Sequence, residues 1–135
     1  MTALTTAGLI VIKDRKLLLA FSKNKKAWYL PGGKTDMGET TINALIREIK
    51  EELNITLALK ELSYYTRISA PAFGEKNNVI MEQDCFLYDL NQNPQPGGEI
   101  EALHYFDIAA YSIEKWQVPG VVMLMTQLKE DNRID

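Results

Sequence analysis

The sequence has few of the residues that build disulfides, histidine metal sites and membrane spans. It contains one cysteine, Cys85, and one histidine, His104, among 135 residues. These counts exclude an internal disulfide, a cysteine-rich zinc site and a cluster of histidine ligands. The apolar runs are far shorter than the roughly 20 residues of a membrane-spanning helix. We therefore expect no membrane partner and, since the first residues lack a signal-peptide pattern, a cytoplasmic protein.

The sequence also lacks a large excess of charge of one sign. The sequence has 15 basic and 18 acidic residues, for a net charge of −3. Proteins that coat nucleic acids generally need a basic surface, so we expect no stable nucleic-acid complex. A small anionic ligand is compatible with this composition if a local site supplies positive charge. The length, with 46% apolar residues, predicts a single domain over residues 1–135.

The pattern of apolar residues predicts alternating strands and helices. Two β-prone runs flank Asp14-Arg15, which predicts a hairpin, and residues 31–33 predict a sharp turn. Apolar residues spaced by three and four from Glu39 onward predict an amphipathic helix of about four turns, ending at Asn54. The remaining predicted elements are strands at 6–13, 17–22, 62–68, 79–90 and 102–106, a long loop at 69–78, and a last helix at 118–129.

Three glutamates in the predicted helix carry the strongest chemical signal. Glu48, Glu51 and Glu52 are spaced at i, i+3 and i+4, so a helix places their carboxylates on one face. On a solvated face such like charges repel by about a few tenths of a kcal/mol per pair. A bound hard dication would make the same arrangement a cluster of oxygen ligands. The triplet alone is therefore consistent with either a charged solvent face or a metal site.

The residues around this triplet resemble the Nudix box. The positions that match that pattern are Gly33, Glu39, Arg47-Glu48-Ile49, Glu51-Glu52 and Ile55, preceded by the entry Pro31-Gly32. Asn54 stands where the family usually has glycine. The segment 33–55 is thus similar to the catalytic motif of the MutT-like Nudix hydrolases. The resemblance implies an α/β/α sandwich with a mixed β-sheet, and Mg²⁺-dependent hydrolysis of a nucleoside diphosphate linked to another group, with Mn²⁺ as a substitute.

The resemblance also implies roles for the acidic residues. Glu48 and Glu52 are expected to be direct metal ligands and Glu51 a further ligand or a base, while the Gly32 carbonyl is a candidate backbone ligand. Glu99 is the best candidate outside the box, since related enzymes often have a metal-binding glutamate at that offset. The alternative for Glu99 is an ordinary loop carboxylate.

Two further box residues are expected to support the metal ligands. Arg47 could hold one carboxylate in a bidentate pair, and Glu39 could bind a second metal ion or hold Arg47. A purely structural ion pair is the alternative for both residues.

Substrate contacts are expected from residues near the box. Lys34 could attract phosphates, and Trp28 or Phe73 could stack on a base, although aromatic residues beside strands are more often core. Gln117 stands where some family members that act on nucleoside triphosphates read the base with an amide side chain.

The resemblance defines the reaction better than the substrate. Small members of the family frequently act on nucleoside triphosphates, releasing the monophosphate and pyrophosphate, and this is the first expectation. The alternative is ADP-ribose or a nucleotide sugar, because Pro71 lies sixteen residues after the box, near the offset of a proline in ADP-ribose hydrolases. A second alternative is a nucleotide sensor without hydrolysis. The oligomeric state is open, with a homodimer as one option.

Overall fold

The computed structural model describes residues 2–75 and 78–135. Residues 76 and 77 of the predicted loop lie outside the described residues. The described strands are β1 (Thr2–Ile10), β2 (Ile12–Lys13), β3 (Lys16–Ser22), β4 (Ala27–Tyr29), β5 (Gly32–Lys34), β6 (Ser63–Pro71), β7 (Val79–Leu87) and β8 (Ile100–Phe106). The helices are α1 (Thr41–Leu53), α2 (Ile108–Ser112) and α3 (Pro119–Glu130), with a short 3₁₀ turn at Leu59–Glu61.

The strands form two sheets. The first has the order β5-β1-β7-β6, in which β1 and β7 are parallel and the two outer pairs are antiparallel. In the second sheet, β3 pairs antiparallel with β2, β4 and β8. The mixed sheet confirms the α/β class expected from the sequence.

The predicted strand 6–13 divides between these two sheets. β1 ends at Ile10, and β2 begins at Ile12 with β3 as its partner. The sequence does not reveal the change of partner because the whole run is apolar and β-prone. The hairpin that follows is confirmed: Asp14 and Arg15 have φ angles of 52° and 61°, as a two-residue turn with left-handed central residues requires.

Helix α1 begins two residues after the predicted start. Thr40 is its N-cap, and the Thr40 hydroxyl accepts a hydrogen bond from the Asn43 amide at 3.2 Å. The helix ends at Leu53, and its C-cap is Asn54, whose φ of 57° lies in the left-handed region, as predicted. The buried face of α1 includes Leu45, Ile49 and other apolar residues of the expected stripe.

Helices α1 and α3 cover opposite faces of the strands. The apolar face of α1 packs in one buried cluster with Leu9 of β1 and Phe86 of β7. Leu124 and Leu128 of α3 belong to a second cluster with Ile10 of β1. This arrangement is the predicted α/β/α sandwich. Among the described residues, no helix is long and apolar enough to cross a membrane.

Several element boundaries differ from the sequence prediction. Strand β6 continues to Pro71, which shortens the loop before β7, and β7 ends at Leu87. The short strands β4 and β5 and the helix α2 were not predicted. Strand β5 contains two glycines, which have low intrinsic β-propensity, so only its pairing with β1 makes it a strand.

The exit of α1 supplies a test of the backbone at Asn54. The Asn54 side chain donates a hydrogen bond to the Gln95 carbonyl at 2.9 Å. We predict that Asn54→Ala lowers the free energy of unfolding by about 1–2 kcal/mol, because alanine loses this bond and is disfavoured in the left-handed region. Asn54→Gly should lie within about 0.5 kcal/mol of the parent, because the relief of backbone strain offsets the lost bond. Urea denaturation measures both values, and equal losses in the two variants would contradict this account.

Candidate active site

A cavity of about 260 Å³ opens between the two sheets, beside α1. Both sheets and the helix contribute to its lining. The residues predicted from the sequence that line it are Gly32, Lys34, Glu48, Glu52, Phe73 and Glu99. The fold therefore brings box residues together with two residues that lie far from the box in sequence.

The two glycines of β5 allow two close approaches: Gly32 allows β5 to lie close to β1, and Gly33 allows α1 to lie close to β5. A Cβ at Gly32 would lie 2.0 Å from the Ala7 carbonyl oxygen, and the Gly32 φ is 141°. A Cβ at Gly33 would lie 2.5 Å from the Glu48 carboxyl carbon. No side chain fits at either position without displacement of the backbone or of Glu48.

Glu52 is a buried carboxyl group on this helix. The Gly32 amide donates a hydrogen bond to Glu52 Oε1 at 3.0 Å, and only 8% of the residue is exposed. Burial raises the pKa of Glu52 to about 8, against the lowering effect of the Gly32 hydrogen bond, and the charges of Glu48, Glu99 and Glu51 raise it further. A free carboxyl group in this place is therefore largely protonated at neutral pH.

Arg47 connects the helix to the loop that precedes it. Arg47 donates hydrogen bonds to both Glu39 carboxylate oxygens, at 3.0 and 2.9 Å, and to Glu48 Oε1 at 2.8 Å. A fourth hydrogen bond reaches the Lys34 carbonyl at 3.1 Å. The Arg47 bonds lower the pKa of Glu39 to about 2. Burial raises the pKa of Glu48, against the opposing effect of Arg47. Arg47 thus orients Glu48 through an ion pair.

Glu99 reaches the cavity from the segment before β8. The Asn24 side chain donates a hydrogen bond to Glu99 Oε2 at 2.6 Å, and the Lys23 amide donates to the Glu99 carbonyl at 2.9 Å. These contacts hold the carboxylate between the β3–β4 loop and the cavity. Glu99 thereby adds a carboxylate to those that Glu48 and Glu52 of α1 contribute to the cavity lining.

Lys34 and Lys25 form the basic side of the cavity. Both are paired with Glu75, each at 3.4 Å. Lys25 also donates to the Phe73 carbonyl at 3.3 Å, as does the Tyr29 hydroxyl at 3.2 Å. Glu75, on the loop after β6, therefore neutralises much of the positive charge in this part of the cavity.

Two predicted substrate contacts do not line the cavity. Trp28 packs against Phe106 and His104, with ring centroids 5.0 and 6.1 Å away, and joins the core cluster as a partly buried residue. Gln117 lines a separate small pocket beside α2 and α3, and the Gln117 side chain donates to the Ser112 carbonyl at 2.6 Å. Glu51 is not among the lining residues either, and its side chain is 58% exposed.

Sequence reasoning missed Thr6, Gln83, Tyr29 and Glu75 as cavity residues. Thr6 and Gln83 belong to strands that are distant in sequence, and they become neighbours through the pairing of β1 with β7. The available signal was a polar residue in each of two otherwise β-prone segments. That signal cannot reveal which face of a sheet encloses a cavity.

Comparison with known proteins identifies the family. The family model described as "NUDIX domain" matches residues 2–124. This chain belongs to the Nudix hydrolase family. An ADP-ribose pyrophosphatase from Methanocaldococcus jannaschii is 45% identical over 103 residues, covering 73% of this chain and 59% of that protein. The MutT NUDIX hydrolase from Burkholderia pseudomallei has the same fold, with a TM-score of 0.72, 22% identity, and coverage of 94% of this chain and 98% of that one.

A third comparison concerns a structure with ligands. The bifunctional NMN adenylyltransferase/ADP ribose pyrophosphatase from Francisella tularensis, complexed with AMP and a Mn ion, has a TM-score of 0.68 to this Nudix domain at 21% identity. The match covers 96% of this chain and 42% of that one. The chain spans 59% of the length of the M. jannaschii relative.

The acidic groups of the cavity fit a hard divalent cation by their chemistry. Carboxylate and carbonyl oxygens are the ligands that Mg²⁺ and Mn²⁺ prefer. Burial first, and then the charges of Glu48, Glu99 and Glu51, raise the pKa of Glu52, and a cation bound there would offset both effects. Within residues 2–75 and 78–135, no three side chains of aspartate, glutamate, histidine or cysteine are close enough together to hold a metal ion. Shared coordination would therefore require side-chain rotation.

The pKa of Glu52 predicts how stability changes with pH in the metal-free protein. The folded-state pKa of about 8 exceeds the ordinary value of 4.5, so folding favours the protonated carboxyl. This contribution to stability is present below about pH 4.5 and is lost as pH rises through about 8. We therefore compare the parent with Glu52→Gln in EDTA. As pH rises from about 4.5 to about 8, the free energy of unfolding of the parent should fall relative to that of the variant by a few kcal/mol, at about 1.4 kcal/mol per pKa unit.

Urea denaturation at a series of pH values measures this difference. All other titrating groups are common to the two proteins, so subtraction isolates Glu52. Parallel curves for the parent and Glu52→Gln would show that the Glu52 carboxyl has an ordinary pKa.

Proposed function

We propose that this Nudix domain is a divalent-metal-dependent pyrophosphohydrolase that cleaves the diphosphate linkage of a nucleoside diphosphate derivative. The observation that supports this most directly is that Glu48, Glu52 and Glu99 line one cavity together with Gly32 and Gly33. A purely solvated glutamate face would not bury Glu52 to 8% exposure. Partial burial of mutually repelling carboxyl groups favours a site that binds cationic charge.

The reaction adds water across a P–O–P bond. The water oxygen forms a bond to one phosphorus, the bridging oxygen leaves with the other phosphoryl group, and protons are released to solvent. Mg²⁺ held by Glu48, Glu52 and the Gly32 carbonyl, with Glu51 or Glu99 as a further ligand, would neutralise phosphoryl oxygens and lower the pKa of a bound water.

Other protein residues orient a metal ligand, act as the base and contact a phosphate. Arg47 holds one oxygen of Glu48 at 2.8 Å and leaves the other oxygen available. Glu39 holds Arg47 through two hydrogen bonds and so acts as a positioning residue. The proposed base is whichever of Glu51 and Glu99 does not hold the metal, since the contacts of each carboxylate leave acceptor capacity. Lys34 is the proposed phosphate contact, once a phosphate replaces Glu75.

For the substrate we favour ADP-ribose or a similar nucleotide sugar. Pro71 and Phe73 both line the cavity, and Pro71 is the residue whose offset from the box suggested this class. The M. jannaschii relative, 45% identical over 103 residues, is named an ADP-ribose pyrophosphatase. Gln117, which supported a nucleoside triphosphate, lies in another pocket. Nucleoside triphosphates are the second candidate class, because the diphosphate chemistry of the box is common to both.

A substrate panel tests this choice. With Mg²⁺ or Mn²⁺, we predict that the protein converts ADP-ribose and water to AMP and ribose 5-phosphate with a higher kcat/KM than it shows for nucleoside triphosphates. Chromatography of the products also separates the alternatives: monophosphate plus pyrophosphate would favour the triphosphates. No turnover of triphosphates, ADP-ribose, nucleotide sugars or dinucleoside polyphosphates would favour the sensor.

The metal-ligand assignment has its own test. Glu52→Gln should lower kcat at least about 100-fold on the best substrate of the panel, because it removes a charged oxygen ligand while keeping the shape of the side chain. Glu101→Gln is the matched control, since Glu101 is exposed on β8 and does not line the cavity. Full activity in Glu52→Gln, measured by steady-state kinetics, would refute the assignment.

A further inference from the structure

The floor of the cavity includes Thr6, whose hydroxyl group is buried and has no partner in the described part of the chain. Thr6 is 5% exposed and lines the cavity. Among the described residues, Thr6 Oγ1 is the buried side-chain polar atom for which no hydrogen-bond partner is found. A buried hydroxyl without a partner costs about 1–3 kcal/mol, so native proteins seldom keep one unless a ligand or a water satisfies it.

A second polar group lies beside Thr6. In the parallel pairing of β1 with β7, Thr6 stands opposite Gln83, which also lines the cavity and is 8% exposed. The Gln83 amide oxygen receives a long contact, 3.8 Å, from the thiol of Cys85, which is a weak donor. The amide of Gln83 therefore retains hydrogen-bonding capacity toward the cavity.

The neighbouring positions on the same strands are apolar. Leu4 stands opposite Met81 in the register, two residues from the Thr6–Gln83 pair, and both line the cavity. Side chains two residues apart lie on the same face of a sheet. The floor thus has a polar half and an apolar half, with the Phe73 ring among the other lining groups.

The polar half lies close to the acidic site but separate from it. Gly8 stands opposite Gly32, whose amide binds Glu52, and Thr6 stands opposite Lys34. Two residues along a strand span about 7 Å. Thr6 therefore lies two strand positions from Gly8, which stands opposite the Gly32 amide that binds Glu52.

We propose that Thr6 and Gln83 form a subsite that recognises the polar edge of the nucleobase of the substrate. This inference rests on the proposed function and adds two specificity-determining residues to it. The Thr6 hydroxyl and the Gln83 amide are both neutral, so the phosphate contact in this part of the cavity is assigned to Lys34, which stands opposite Thr6. A nucleobase fits, because it has flat apolar faces for Leu4, Met81 and Phe73 and an edge that carries both donors and acceptors.

The test is Thr6→Val, which replaces the hydroxyl with a methyl group of the same shape. Because the hydroxyl has no protein partner, the thermal unfolding midpoint of ligand-free Thr6→Val should equal or exceed that of the parent. Calorimetric titration with AMP, GMP, CMP and UMP in Mg²⁺ should show a 5- to 30-fold higher Kd for the nucleotide that the parent binds best, consistent with loss of about one hydrogen bond. Ribose 5-phosphate, which lacks a base, should bind the two proteins alike.

Two further variants sharpen the result. Gln83→Met should also weaken binding of the preferred monophosphate and leave ribose 5-phosphate unaffected. Thr66→Val is the matched control: the Thr66 hydroxyl donates to Gln127 at 3.1 Å and does not line the cavity. Thr66→Val should lower the unfolding midpoint and leave every Kd unchanged, the reverse of the pattern expected for Thr6→Val.

Three results would overturn the proposal. They are an unchanged Kd for every monophosphate in Thr6→Val, a lower unfolding midpoint in Thr6→Val, and no binding of any monophosphate to the parent. Binding is measured without turnover, so its outcome is independent of whether hydrolysis occurs. Base-dependent binding without turnover of any substrate would refute the proposed function and support the subsite, whereas turnover with the same KM in the parent and Thr6→Val would refute the subsite alone.

Discussion

The candidate site depends on the close approach of α1 to strand β5. This approach exists because Gly33 has no side chain at the point of contact, where a Cβ would lie 2.5 Å from the Glu48 carboxyl carbon. Gly32 in turn leaves room for β1, since a Cβ there would lie 2.0 Å from the Ala7 carbonyl oxygen. With the helix at this distance, the Gly32 amide can donate to Glu52. The backbone of β5 and the side chains of α1 thereby form one surface, and the pairing of β5 with β1 joins that surface to the first sheet.

The same approach creates an electrostatic conflict that the protein relieves only in part. Arg47 pairs with Glu39 and Glu48, and Glu52 has a single backbone donor in Gly32. On the opposite side of the cavity, Glu75 pairs with Lys25 and Lys34. Positive charge is therefore present but already paired, while Glu52 is left with a raised pKa. Such a distribution favours ligands that bring both signs of charge, as a polyanion bound together with a dication does.

The sequence predicts the part of the site that is encoded by local spacing. The i, i+3, i+4 glutamates, the glycines before them and the left-handed Asn54 are all properties of one continuous segment, and the structure has α1 and its exit as expected. Trp28 and Gln117 illustrate the limit. Both lie near the box or at a suggestive offset, but strand pairing turns Trp28 toward Phe106 and the α2–α3 connection carries Gln117 to another pocket. Which face of a strand lines a cavity is decided by tertiary contacts that spacing does not contain.

The same reasoning explains why Thr6 and Gln83 escape a sequence reading yet point to function in the structure. A valine at position 6 would suit a buried strand better than a threonine whose hydroxyl has no partner. Folding stability alone would therefore favour valine at position 6, and it would also favour fewer like charges around Glu52. Both departures line one cavity, whereas the clusters that join α1 and α3 to the strands are built from apolar side chains. Departures from good packing that collect in one place are more simply explained by a ligand than by chance, because chance would scatter them through the core.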